Sequence, residues 1–376
     1  MRNFLTASVA VLFLFAVTLS VSQLHSQSLQ EESKSQGRDN VDAKPRGGNW
    51  LRRQKLEPTG VEVQLEHQGR DRKYRIHVPD SVDAATPVPL VICLHGGGGN
   101  SDQGSVMGVT PLADEHNFIV VYPNAIDKHW NCGRDSELFR EHNRTIDDVD
   151  FLMSIVAKVR KQYRVDEKRI FAVGVSNGGF MTQRLAMEHP ETFSAVGIVI
   201  ATMAESLEKD FKPTLPVSVV YMNGTSDPLV PYDGGALTVD LFPKLRKAMN
   251  RKLEDRGSCV STDAAVEHWV KRNGIKAKPA VSTFEDVNEE DGSTVEFSLW
   301  TGGQQGTAVG LYKVIGGGHG IPGRPQRMER VVGTYNQDVD GWAEIWKFLN
   351  DHHRGHEQKS INKQSDLKRG AKAVSR

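Results

Sequence analysis

The chain has 376 residues and only three cysteines, too few for a disulfide framework. An excess of charge of one sign is also missing. Its 47 basic and 47 acidic side chains balance, which gives no reason to expect a nucleic-acid partner. No internal repeat is visible. A long apolar run is lacking as well: the strongest, centred on Val11-Leu12-Phe13-Leu14-Phe15-Ala16-Val17, is short for a membrane-spanning helix. Arg2 precedes it, and the small residues Ser20 and Ser22 stand where a cleavage site would want them. Residues 1–22 therefore read as a signal peptide, with processing near Gln23. No cysteine stands just after the apolar run, which argues against a bacterial lipoprotein anchor. The expectation is an exported protein, secreted or periplasmic, monomeric and without a stable membrane anchor.

Residues 23–57 are polar, charged and glycine-containing, and read as a disordered linker. Residues 58–352 form the expected folded domain. With both ends trimmed, about 300 residues remain, enough for one large domain with a deep core. Val61-Glu62-Val63-Gln64-Leu65 and Arg72-Lys73-Tyr74-Arg75-Ile76-His77-Val78-Pro79 alternate in polarity, as the two arms of an antiparallel hairpin do. The pattern then changes to continuous apolar runs, at Pro89–Leu94, Phe118–Tyr122, Ile170–Val175, Ala195–Ile200 and Val217–Met222. Such runs suit strands buried on both faces of a mainly parallel sheet. Further strands are expected at Val295–Trp300 and Gly310–Ile315. Between strands lie helical stripes: Val149, Leu152, Ile155, Val156 and Val159 behind a cap at Asp147, and Trp342, Ile345, Trp346 and Leu349 near the end. The fold class is α/β, a mainly parallel central sheet with helices on both faces and an N-terminal antiparallel hairpin.

Two segments fit less well. Gly234 to about Thr262 is rich in Lys and Arg and reads as an insertion, partly helical, over one edge of the core. Residues 353–376 read as a basic disordered tail.

The chemistry centres on Ile170-Phe171-Ala172-Val173-Gly174-Val175-Ser176-Asn177-Gly178-Gly179. An apolar strand runs into Gly-x-Ser-x-Gly and then into a helix, the pattern of a nucleophile elbow. Ser176 must sit on a tight turn, and Gly174 and Gly178 leave room for the close backbone approach. A serine hydroxyl needs a base, and the base needs an orienting acid. Asp227 lies in the turn-rich Asn223-Gly224-Thr225-Ser226-Asp227-Pro228 after one strand, and His319 in Gly316-Gly317-Gly318-His319-Gly320 after another. The order Ser, Asp, His is the one an elbow of this kind requires. Leu94-His95-Gly96-Gly97-Gly98-Gly99 follows an earlier strand, and its glycines suit an oxyanion hole. The backbone N–H groups of Asn177 and Gly97 are the expected donors.

Each feature alone has a bland reading. Gly-x-Ser-x-Gly arises by chance, the glycine run could be a flexible turn, and Asp before Pro is a common turn former. A phosphate cradle is disfavoured because no Lys-Ser/Thr follows the glycines. His319 alone could be structural or a metal ligand. Four features in order, each at a strand end, favour the joint catalytic reading. Asp147, Asp148 and Asp150 could form a calcium site, but capping of a helix start is simpler. Cys93 is expected to be buried and inert. Cys132 and Cys259 either pair or stay separate thiols.

The glycine run at Leu94–Gly99, the stretches Ile146-Asp147-Asp148-Val149-Asp150-Phe151 and Val165–Met181, and Gly317-Gly318-His319-Gly320-Ile321-Pro322-Gly323 resemble the polyhydroxybutyrate depolymerase and feruloyl esterase family of secreted α/β-hydrolases. The resemblance covers roughly residues 61–350. It implies an α/β-hydrolase fold and an esterase with Ser176 as nucleophile, Asp227 as acid and His319 as base. It also implies an active-site loop at Trp130-Asn131. His95, Trp130, Asn131 and Ile321 are the expected substrate-binding residues. One departure concerns Ile321, where the family often carries Trp.

The chemistry so read needs no metal and no organic cofactor. The expected partner is an ester: a small molecule, an oligosaccharide ester or a polyester oligomer. The alternatives are a serine peptidase on the same fold and a non-catalytic binding protein that retains it. No separate polymer-binding domain is visible, which favours a soluble oligomer or small ester over a crystalline polymer.

Overall fold

A computed structural model describes residues 56–237, 254–324 and 329–356. The expected signal peptide, nearly all of the expected linker, the middle of the insertion and most of the basic tail lie outside the described residues.

Ten strands form one sheet. In chain order they are β1 (Val61–His67), β2 (Arg70–His77), β3 (Val88–Leu94), β4 (Ile119–Pro123), β5 (Val165–Val175), β6 (Ala195–Val199), β7 (Ser218–Gly224), β10 (Ala280–Thr283), β11 (Thr294–Trp300) and β12 (Val309–Ile315). Between β7 and β10 lie the short β8 (Gly235–Ala236) and β9 (Ser258–Cys259), which pair with each other outside that sheet, Cys259 also bridging Ala204. The order across the sheet is β1-β2-β4-β3-β5-β6-β7-β12-β11-β10. Pairings from β4 through to β12 are parallel, and both margins are antiparallel. The hairpin turns at Gln68-Gly69, both in the left-handed region.

Strands β3, β6 and β7 are buried along their whole length because helices cover both faces. Residues one apart on a strand face opposite sides. Leu90, Ile92, Ala172, Ile198 and Val219 join one core, with α2 (Asp148–Gln162), α3 (Asn177–Glu188) and α4 (Thr262–Arg272). Val91, Cys93, Val173, Val199 and Val220 join the other, with α1 (Val109–His116) and α5 (Gly341–His352). Asp147 caps α2 as the sequence suggests, its carboxylate accepting the Asp150 N–H.

The insertion's described ends are the strands β8 and β9, side by side with Gly235 opposite Cys259, and the stretch between them, read from sequence as partly helical, lies outside the described residues. Helix α4 follows β9 at once, capped by Ser261 and anchored by the buried Ala265, Val266 and Trp269. The parallel strands β3, β5, β6, β7 and β12 share one direction, so their carboxyl ends share one edge of the sheet, where functional loops of open α/β sheets emerge.

Candidate active site

Strand β5 ends at Val175, and Ser176 follows at φ 51°, ψ −121°. A non-glycine residue there costs on the order of 1–3 kcal/mol and persists only if its surroundings enforce it. The surroundings are tight. The Ser176 N–H donates to Val199 O at 2.9 Å, and the Phe180 N–H closes the first turn of α3 on Ser176 O at 3.0 Å. A Cβ on Gly174 would strike the Gly178 carbonyl, and one on Gly178 would lie 2.5 Å from the carbonyl oxygens of His95 and Leu94. Those two glycines let α3 press against the loop that carries Gly97. The next strand tip is strained as well: Ile200, β-branched, sits at φ 47°.

Asp227 and His319 meet. Asp227 Oδ1 accepts the N–H groups of Leu229 at 2.8 Å and Val230 at 2.9 Å, while Oδ2 lies 2.7 Å from His319 Nδ1. Their side chains are 2% and 10% exposed. A carboxylate so placed accepts a hydrogen bond from the Nδ1–H and leaves Nε2 as the basic nitrogen. The two loops are locked by backbone: Ser226 N–H donates to Gly317 O at 2.9 Å, and a Cβ on Gly224 would strike that same oxygen. The Gly318 and His319 N–H groups donate to Thr334 O and Val332 O. Serine, acid and base thus follow β5, β7 and β12 at the carboxyl edge.

The glycine loop after β3 lies against the elbow. A Cβ built on Gly96 would be 3.5 Å from Ser176 Cβ, and one on Gly97 would be 3.6 Å from Asn177 Cβ. Beside it runs the 125–132 loop, and here the expectation for substrate contacts needs correction. His95, Trp130 and Asn131 are buried, and their polar groups are spent inside the protein. His95 Nε2 accepts the Ala125 N–H at 3.2 Å, so Nδ1 carries the proton and donates to Gly96 O at 2.8 Å. Burial holds the His95 pKa down to about 4, so the ring stays neutral. The Trp130 indole N–H donates to His95 O at 2.9 Å. Asn131 Nδ2 donates to Asn143 O and Ile146 O, while its Oδ1 accepts from Arg184. These three side chains hold loops together. Ile321, the fourth, is half-buried and adjoins Gly341.

The sequence reading missed the Asn177 side chain. Its Oδ1 accepts the Trp130 N–H at 2.7 Å and its Nδ2 donates to Trp130 O at 3.1 Å. It also missed the buried pair Arg72–Asp148, 2.6 Å apart. Burial opposes the Asp148 charge, yet the nearby His142, Arg72 and the Asn131 N–H hold its pKa below the usual carboxylate range. The calcium alternative finds its carboxylates separately employed. Asp147 caps α2, Asp148 pairs with Arg72, and Asp150 meets Gln68 and His67. Among the described residues, no group of three or more His, Cys, Asp or Glu could hold a metal ion. The three cysteines are free thiols. Burial pushes Cys93 up, and Cys259 up to about 12.

A serine on a strained turn after β5, ahead of an Asp–His pair after β7 and β12, on a sheet of this order, defines an α/β-hydrolase. Which one is answered by similarity in sequence. Residues 73–285, more than half of the chain, match the family described as Esterase PHB depolymerase, and the chain belongs to that family. It is a carboxylic ester hydrolase. The putative esterase NocK of Nocardia uniformis subsp. tsuyamanensis is 29% identical over 263 residues, 68% of this chain and 72% of that protein. Probable feruloyl esterase C of Aspergillus niger is 28% identical over 183 residues, 47% of this chain and 62% of that protein. Feruloyl esterase B of Thermothelomyces thermophilus is 32% identical over 123 residues, 32% of this chain and 40% of that protein. The matches thus span less than two thirds of these two feruloyl esterases. Among solved structures, a thermostable esterase aligns at a TM-score of 0.46 and 18% identity, over 78% of this chain and 63% of that one.

Proposed function

We propose that the protein is an exported serine esterase that works through an acyl-enzyme. His319 takes the proton from Ser176 as its oxygen attacks the ester carbonyl. Asp227 holds the imidazole in the required tautomer and stabilises the imidazolium. The N–H groups of Asn177 and Gly97 receive the oxyanion. The alcohol leaves with a proton from His319, and water, with His319 again as base, releases the acid. The observation that carries this reading is the 2.7 Å contact between Asp227 Oδ2 and His319 Nδ1, at the same edge of the sheet as the Ser176 turn.

The substrate class is a feruloyl or acetyl ester of a polysaccharide, or a hydroxyalkanoate oligomer. The names of the feruloyl esterase relatives support testing feruloyl esters first. Turnover of a short-chain aryl ester should fall at least about 10³-fold in Ser176→Ala. Near-wild-type turnover in that variant would sink the assignment. A panel of feruloyl, acetyl-sugar and hydroxybutyrate-oligomer esters ranks the substrates, and an aminoacyl amide beside them tests for peptidase action. Export is checked by N-terminal sequencing of protein recovered outside the cytoplasm, which should begin near Gln23.

A further inference from the structure

Arg72 and Asp148 stand outside the catalytic groups proposed above. Arg72 is on β2, near the sheet margin, and Asp148 opens α2. Their side chains are 2% and 0% exposed. The guanidinium also lies 3.6 Å over the Phe151 ring. Desolvating two ions this deeply cancels much of their mutual attraction, so stability alone is a weak reason for the pair. The second carboxylate oxygen offers another reason. Asp148 Oδ2 accepts the backbone N–H of Asn131 at 2.8 Å.

Asn131 belongs to the 125–132 loop, and that loop touches the supports of both proposed oxyanion donors. On one side, Trp130 N–H and C=O pair with the Asn177 side chain as a strand partner would. On the other, the Gly98 N–H donates to Lys128 O at 2.9 Å, the Trp130 indole to His95 O, and the Ala125 N–H to His95 Nε2. The loop therefore bridges the residue after Ser176 and the glycine run that holds Gly97. Its own position is set at Asn131. Asp148 holds the N–H, and Arg184 Nη1 donates to the C=O at 2.8 Å.

We infer that Asp148, held in place by Arg72, is a positioning residue for the oxyanion hole: it fixes Asn131, and through the 125–132 loop it sets both donors. The inference rests on the serine-esterase reading. Its physical basis is that oxyanion donors act by being placed before the charge develops, so a small misplacement costs rate far more than substrate affinity.

Two double variants separate the hydrogen bond from the charges. Arg72→Met/Asp148→Asn removes both charges and keeps a carbonyl oxygen for the Asn131 N–H. Arg72→Met/Asp148→Leu removes both charges and the acceptor at similar volume. Each is measured for kcat and KM on a short aryl ester, for inhibition by phenylboronic acid, which forms a tetrahedral serine adduct, and for thermal midpoint. At matched midpoints the Asn variant should recover kcat to within about threefold of wild type. The Leu variant should lose about 10- to 100-fold in both kcat and boronate affinity, with KM moving less than about threefold. Equal kcat and equal boronate affinity in the two variants overturn the inference, as does a loss confined to KM. Arg184→Met, at a more exposed position, cuts another of the loop's tethers and guards against a double variant that does not fold. It should show the same pattern at about 3- to 10-fold, and no change in either readout also overturns the inference. A wild-type enzyme that forms no boronate adduct and is not labelled at Ser176 by an organophosphonate fails the serine-esterase reading instead.

Discussion

Gly178 has no room for a methyl group. With a Cβ 2.5 Å from two carbonyl oxygens of the β3 end, Gly178→Ala must part α3 from the loop that carries Gly97. Neither neighbour is a flexible side-chain tip, so the strain falls on backbone. The expected cost is about 1–3 kcal/mol of stability and at least about a tenfold drop in kcat, read by urea denaturation and aryl-ester hydrolysis. Unchanged kcat would mean that the loop follows the helix without losing its donor. The glycine's purpose was legible from sequence because close approach at an elbow leaves a residue type behind. Ser176, Asp227 and His319 were legible as candidates from their order after apolar strands. His95, Trp130 and Asn131 were misjudged because a ring nitrogen or an amide offers the same donors and acceptors to a substrate as to a backbone. What decides between them is burial by loops distant in sequence. Asp148 is the extreme case, since its partner Arg72 is 76 positions away.

Elements were readable where burial leaves a pattern in the sequence, a continuous apolar run or a clean alternation, and hidden where it leaves none. Strand β3 is buried at every residue, and its apolar run gave it away. Strand β10 sits at the sheet margin, mostly exposed, and is too short to show an apolar period. Helix α4 does carry an apolar stripe behind Ser261, but a neighbouring run of lysines and arginines masked its start. Helix α5 was plain from its tryptophans, yet its cap does more than the pattern suggests. Asp340 Oδ1 accepts the N–H groups of Trp342 at 3.1 Å and Ala343 at 3.2 Å, while Oδ2 pairs with Arg324 at 2.6 Å, five residues beyond His319. Asp340→Ala should cost about 1–2 kcal/mol, seen as a lower urea midpoint at unchanged slope. A midpoint within error of wild type would show that the Trp342 and Trp346 packing holds the helix start without its cap.

The molecule as a whole carries a pH dependence from groups buried in the neutral state. Burial lowers the His95 pKa to about 4. Burial, helped by the nearby Arg134 and His142, lowers that of His129 to about 2. His352 and His353 are also lowered, with burial the leading cause. In the unfolded chain each histidine titrates near about 6.5. Between the folded and unfolded values the unfolded chain binds more protons, so stability rises with pH across that window. The stabilisation is complete above about pH 6.5 and is lost as pH falls toward 4. Each such histidine contributes about 1.4 kcal/mol per pH unit within the window. Unfolding by urea at pH 5.5 should therefore require about 2.7 kcal/mol less than at pH 7.5, from His95 and His129 alone. His129→Phe separates the two. The His129 ring stacks on Phe139 with centroids 3.5 Å apart, and a phenyl ring can keep that packing without a titrating nitrogen. The variant should match wild type at pH 7.5 and exceed it at pH 5.5, so that its own difference between the two pH values shrinks by about 1.4 kcal/mol. A variant whose difference stays at the wild-type value would place the lost protons elsewhere, and His129 would then have to be counted as charged in the folded protein.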